Sequence, residues 1–267
     1  MSSETKPVTR VYFQHVTKCG GTSLRAALMQ ALSEQGAHRS SFYQLEPVKT
    51  NRYASAAGLD SIQVRDVLLA DRLEQPETRF IAGHFRFTHA LHAEAMQAVC
   101  SVTVLREPVD RFLSLYYYNH FKVAEHGKEN LPLDVYLTKP KARRSAEDYV
   151  RLFRGTGADS RDFASAEDVQ LAVDNLGRFS VVGCLENMSV FIDALSQRGL
   201  PIQLPRLNKS PAPADIRYAD LPTELMQEIE RLCEPSRKVY EHALRLAGDD
   251  RAGFDNSDRP ANTSQVA

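Results

Sequence analysis

The sequence contains no tryptophan and only four cysteines among its 267 residues. Cys19, Cys100, Cys184 and Cys233 are scattered, with no CxxC pair. That spacing argues against a zinc cage or a disulfide framework and points to reduced thiols. Net charge is nearly absent: 33 basic side chains meet 34 acidic ones. No overall field draws the chain to nucleic acid or to a membrane surface, so any cationic site has to be local. Long apolar runs are missing as well. No window approaches the roughly 20 apolar residues of a membrane span. The opening residues, MSSETKPVTR, lack the apolar core of a signal peptide. There is no internal repeat.

What is present suits a single α/β domain: 43% apolar residues can fill a sizeable core. Four short apolar runs, at 10–16, 79–84, 100–106 and 179–184, read as buried strands. Between them the apolar spacing is helical. Leu24, Ala27, Leu28, Ala31 and Leu32 form one stripe. Leu113, Tyr116, Tyr117 and His120 form another, behind a proline suited to a first helical position. Met188, Phe191, Ile192 and Leu195 form a third, stopped by Gly199 and Pro201. A helix starting at Ser165, with Asp168 placed for a capping box, ends near Gly177. Two late helices, at 222–233 and 235–246, are expected to part at Pro235. Strands alternating with helices predict a central parallel sheet flanked by helices. Residues 9–248 form the expected domain. Residues 125–162, charged and irregular, read as an insertion or substrate-facing lobe within it, and the polar ends, 1–8 and 249–267, read as disordered.

Two strand-to-helix junctions carry chemistry. The first is VYFQHVTKCGGTSLRAAL, residues 11–28. Amide groups at a helix start have no internal partners and sit at the positive end of the helix dipole, so they attract an anion. Gly20 and Gly21 permit close approach, Thr22 and Ser23 add hydroxyl donors, and Lys18 brings a full charge. The order is not that of a Walker A loop, in which the lysine follows the glycines. Cys19 reads as a small loop-filling residue; its place beside a lysine and a helix start offers a lowered thiol pKa and a redox role as the lesser alternative. The second junction is TVLREPVDRFLSLYYY, residues 103–118. Arg106 ends the strand, Ser114 follows eight residues later inside the helix, and Arg111 shares its face. An arginine fork with a hydroxyl suits a second phosphate. Two such junctions at one sheet edge suggest a ligand with two separated phosphates.

HVTKCGGTSL resembles the 5′-phosphosulfate loop of sulfotransferases that use 3′-phosphoadenosine-5′-phosphosulfate (PAPS), and LREPVDRFLSLYYY resembles their 3′-phosphate motif. The similarity is greatest to carbohydrate sulfotransferases of the heparan sulfate 2-O type, which also place a GH dipeptide between the two motifs. Here that dipeptide is Gly83-His84. The three elements span residues 11–118. VVGCLENMSVFIDAL (181–195) and LNKSPAP (207–213) resemble later family segments less specifically. Thr17 stands where the family usually has proline, and Cys19 where it has threonine or serine. The resemblance implies a sulfotransferase fold with a P-loop-like phosphosulfate loop and no metal.

It also implies roles. Lys18, with Cys19, Gly20, Gly21, Thr22 and Ser23, would hold the 5′-phosphosulfate, Lys18 also steadying the leaving oxygen. Arg106 and Ser114 would hold the 3′-phosphate. Lys209 and Ser210 would close over the nucleotide. His84 is the candidate general base, since histidine titrates near neutral pH and sits here at a strand end. His15 is a weaker competitor that supports the loop. His84, His89 and His92 lack cysteine or acidic partners and make a poor zinc site. Arg86, Arg143 and Arg144 are candidate acceptor contacts, the latter two in a basic run from Lys139 to Arg161 that equally suits a solvated face. The acceptor is expected to be a hydroxyl compound, a glycan or a small metabolite. Golgi members of the family carry an anchor that this sequence lacks, so a soluble, cytoplasmic, bacterial enzyme is expected. Two alternatives stay open: a small-molecule kinase, and a nucleotide-binding homologue without turnover.

Overall fold

The computed structural model describes residues 10–87, 96, 98–155, 165–205 and 220–248. The termini, His89, His92, Arg161, Lys209 and Ser210 lie outside the described residues.

Five parallel strands form one sheet in the order β2-β3-β1-β4-β5. They are β1 (Val11–Gln14), β2 (Phe42–Gln44), β3 (Phe80–Gly83), β4 (Cys100–Leu105) and β5 (Val181–Cys184). Val11 pairs with Phe80 on one side and Cys100 on the other, so β1 is central. The alternation of a strand sends neighbouring side chains to opposite faces. Val11, Phe13, Phe80, Ala82, Val102 and Val104 enter one core, packed by α1 (Gly21–Glu34) and α9 (Met188–Gln197). Tyr12, Ile81 and Val182 enter the other, against α3 (Ser61–Glu74), α7 (Asp148–Phe153), α8 (Ala166–Leu176) and α10 (Thr223–Leu246). Both faces are thus covered, as a parallel sheet requires.

The sheet and the capping of α8 match the expectation: Ser165 accepts the Asp168 amide at 3.0 Å. Five helices and one strand were not anticipated, two of the helices before β3 and three after α4, which spans Pro108–Phe121. α2 (Pro47–Ala56) starts on a proline, and the Asp60 carboxylate caps α3 by accepting the Ile62 and Gln63 amides. β2 has three residues, too few to show a period. The expected break at Pro235 does not occur. α10 runs unbroken from Thr223 to Leu246, because its buried stripe continues through the proline: Ile229, Leu232, Cys233, Ser236, Val239, Tyr240 and Ala243. Ser236 donates to the Ala146 carbonyl at 2.6 Å, anchoring the residue next to the kink-prone site. Tertiary packing offsets the lost helical hydrogen bond here.

Within the expected insertion at 125–162, the described residues, 125–155, are less irregular than their composition suggests. Three short helices, α5 (Leu133–Leu137), α6 (Pro140–Ala146) and α7, occupy the segment. With α10 they pack around α4 (Pro108–Phe121) through Phe112, Tyr116, Tyr136 and Cys233. α4 therefore stands between the sheet edge and this added layer.

Candidate active site

All the described candidate residues except Arg143 and Arg144 lie at or just beyond the carboxyl ends of β1, β3 and β4, or on the helices that follow. The loop after β1 is strained at one point. Lys18 has φ 67°, the only positive φ outside glycine among the described residues. A left-handed conformation at a side-chain-bearing residue costs about 1–2 kcal/mol and clusters at functional sites. Gly20 follows at φ 71° and serves as the N-cap of α1, with no side chain capping the helix. The amino end of α1 is accordingly open to an anion.

Gly21 has a different reason to be glycine. A Cβ there would stand 2.0 Å from the His15 ring. His15 thus buttresses the loop from beneath, stacked on Phe13 at 5.5 Å and facing the His84 ring at 4.5 Å. Burial, helped by His84 and Arg25, lowers the His15 pKa to about 3, so the ring is neutral.

His84 follows the last residue of β3. Its Nδ1 lies 2.6 Å from the His15 carbonyl oxygen, an acceptor, so Nδ1 carries the proton and Nε2 holds the lone pair. Arg65 donates to the His84 carbonyl at 3.1 Å and to Asn51 at 2.9 Å, fixing the main chain as well. Burial lowers the His84 pKa below the usual value, and the bond to His15 opposes that shift only in part. A cavity of about 80 Å³ opens beside the ring, bordered by His15, Arg25, Gln44 and Gly83.

Lys18 reaches α4. Its Nζ stands 4.4 Å from the centroid of the Tyr118 ring, a cation–π contact one helical turn beyond Ser114. Burial and Arg106 both lower the Lys18 pKa. The two cations therefore share one electrostatic neighbourhood, as an anion site between them requires. Ser114, Arg106 and Thr22 are half-buried, and Ser23 is mostly buried.

The second junction differs from the first. Glu107 caps α4 with its own carboxylate, accepting the Asp110 amide at 2.8 Å. That end of α4 is filled, so an anion there has to be held by the Arg106 and Ser114 side chains. The turn itself is pinned from far away in sequence. The Tyr149 hydroxyl donates to the Arg106 carbonyl at 2.5 Å and accepts the Arg106 amide at 2.9 Å. Glu186 accepts the Glu107 amide at 2.8 Å and the Tyr240 hydroxyl at 2.8 Å.

Two expectations are corrected. Arg111 does not join Ser114 at an anion site. It is fully buried, pairs with Asp148 at 3.4 Å, and donates to the Ser145 carbonyl. The Cys19 thiol is not activated either. Its side chain is 1% exposed, and burial pushes the pKa up to about 11, against the smaller opposing pull of Arg111. Its sulfur points inward, 3.5 Å from the Tyr149 hydroxyl. The Cys19 side chain is therefore part of the core rather than of the exposed surface of the loop.

The other candidates are placed as follows. Arg86 is half-buried, its pKa lowered to about 10 by burial and by Arg151. Arg143 lies on α6 and gives its Nε to Glu147 at 2.8 Å, and Arg144 is exposed beside it. The four cysteines are free and buried. Among the described residues, no group of three potential metal ligands stands together, and no helix is long and apolar enough to cross a membrane.

A sequence model described as "Sulfotransferase family" matches residues 4–171, more than half of the chain. The chain belongs to the sulfotransferase family. The match contains both junctions and His84, and it ranks sulfuryl transfer above the kinase reading for the open loop. A comparison with curated proteins returns no match. Within this sulfotransferase, Tyr149, His15, Arg65 and Tyr118 were not singled out from sequence as site residues, or only weakly so. Their roles come from contacts across 43 or more positions for Tyr149 and across 69 for His15 with His84.

Proposed function

We propose that this sulfotransferase moves a sulfuryl group from PAPS to a hydroxyl of a carbohydrate or glycan-like acceptor. The observation that carries the reading is the open, uncapped amino end of α1 beside Lys18, facing a second cation, Arg106, across the same sheet edge. These residues fit a donor with two anionic ends. Lys18, Thr22, Ser23 and the amides after Gly20 would take the 5′-phosphosulfate, and Arg106 with Ser114 the 3′-phosphate.

PAPS, when bound, supplies the activated sulfuryl group. The protein's part is positioning and charge balance, as in phosphoryl transfer. His84 Nε2, which holds the lone pair, would take the proton from the acceptor hydroxyl as that hydroxyl accepts the sulfuryl group. Lys18 would stand by the departing phosphate and balance the charge that it carries away. The cavity bordered by Arg25 and Gln44 lies on the Nε2-bearing residue and is the proposed entry for that hydroxyl. Lys209 and Ser210 are proposed to close over the nucleotide, and Arg86, with Arg143 and Arg144, to meet the acceptor. A soluble, cytoplasmic location is proposed with them.

The test is release of the bisphosphate product from PAPS with a panel of mono- and oligosaccharides. His84→Ala is expected to lower turnover by about 10²–10⁴-fold. Turnover in His84→Ala equal to that of wild type would remove His84 as the base.

A further inference from the structure

We infer that the Tyr149 hydroxyl is a positioning residue that holds the Arg106 turn and thereby sets the affinity for the 3′-phosphate. The inference rests on the donor reading above. Tyr149 is the second residue of α7, in the charged segment that read as an insertion, yet its side chain is completely buried. Its one proton goes to the Arg106 carbonyl, and its lone pairs receive the Arg106 amide. Both backbone groups of Arg106 thus depend on one hydroxyl. The Cys19 sulfur stands 3.5 Å from the same oxygen, so the hydroxyl touches the first junction as it fixes the second.

The ring is itself locked. The Arg111 guanidinium lies 5.2 Å from its centroid, and Arg111 is held by Asp148, the residue before Tyr149. Cys19, Tyr149 and Arg111, all buried, and the partly exposed Asp148 form a continuous chain of contacts. Burial raises the Tyr149 pKa well above its ordinary value, which keeps the hydroxyl a neutral donor. Arg111, misplaced by the sequence pattern as an anion ligand, is in this account the base of the clamp.

A purely packing role for the ring would be met by phenylalanine. A positioning role would not, because Tyr149→Phe leaves the Arg106 N–H and C=O without their partner and frees the turn that aims the guanidinium. The distinguishing readout is a ratio: affinity for 3′-phosphoadenosine 5′-phosphate divided by affinity for AMP, by calorimetry on the full chain. Tyr149→Phe is expected to lower the bisphosphate affinity about tenfold with AMP binding within about twofold of wild type. Asp148→Asn, which loosens Arg111 without emptying a bond at Arg106, is expected to lower the same ratio by about threefold, and it carries the test should Tyr149→Phe show no cooperative unfolding.

An unchanged ratio, or equal losses for both nucleotides, would overturn the inference while leaving the donor reading intact. Absence of any bisphosphate preference in the wild-type protein would overturn the donor reading, and the inference with it.

Discussion

Gly21→Ala tests the geometry beneath the loop. The new Cβ would meet the Cδ2 and Nε2 atoms of His15 at 2.0 Å, where ordinary contacts begin near 3.4 Å. Neither side can yield easily. Gly21 is the first residue of α1, whose Leu24 amide already binds the Gly20 carbonyl, and Leu24 is buried in the core. The His15 ring is held between Phe13 and His84. Overpacking of this kind costs about 1–3 kcal/mol. For a chain of this size that is a fall in Tm of roughly 2–12 °C. The assay is urea unfolding of wild type, Gly21→Ala, His15→Ala and the double variant. His15→Ala removes the obstruction, so the alanine at 21 should then be tolerated. The coupling between the two changes is expected to be about 1–2 kcal/mol. Additivity within about 0.5 kcal/mol would refute the placement of the ring over Gly21.

Three further outcomes follow from the same contacts. Lys18→Gly should be more stable than Lys18→Ala by about 1 kcal/mol, because only glycine relieves the left-handed backbone, while both lose transfer activity; chemical denaturation beside a turnover assay decides it. Acid should destabilise the fold through His15, whose pKa falls from 6.5 unfolded to about 3 folded. The unfolded chain then binds more protons between those values, so stability is full above pH 6.5, drops by about 2 kcal/mol at pH 5, and is lost further down to pH 3. Thermal melts of wild type and His15→Gln from pH 8 to 5 measure this, and parallel curves would contradict it. Turnover should rise with pH along a limb below 6.5, set by His84, and fall along a limb below 10.5, set by Lys18, since both pKa values are lowered.

Much of the sheet was legible because its inner strands are short apolar runs buried on both faces, a pattern that Val11–Gln14 and Cys100–Leu105 display fully. β2 escaped notice for want of length, and Pro235 misled because a local rule yielded to a buried stripe on both sides of it. The placement of Lys18, Gly20, Arg106, Ser114 and His84 at one sheet edge could be read from two strand-to-helix junctions and one strand end. Which way a side chain turns could not. Arg111 shares a helix face with Ser114 but points into the added helical layer, and Cys19 sits in an anion loop but points into the core. The partners lie far along the chain, Asp148 and Ser145 for Arg111 and Tyr149 for Cys19, and no local spacing announces them. The His15 ring lies where a Cβ on Gly21 would stand, so that glycine has a packing reason as well, which the sequence pattern did not announce.

The most direct test of the account is calorimetric titration of the purified protein with 3′-phosphoadenosine 5′-phosphate, beside AMP and ATP, for wild type and Arg106→Ala. The account predicts that wild type prefers the bisphosphate and that Arg106→Ala loses this preference while still binding AMP. Equal binding of all three nucleotides, or a preference for ATP, would contradict the assignment of the second junction and return the open loop of α1 to a different phosphate donor.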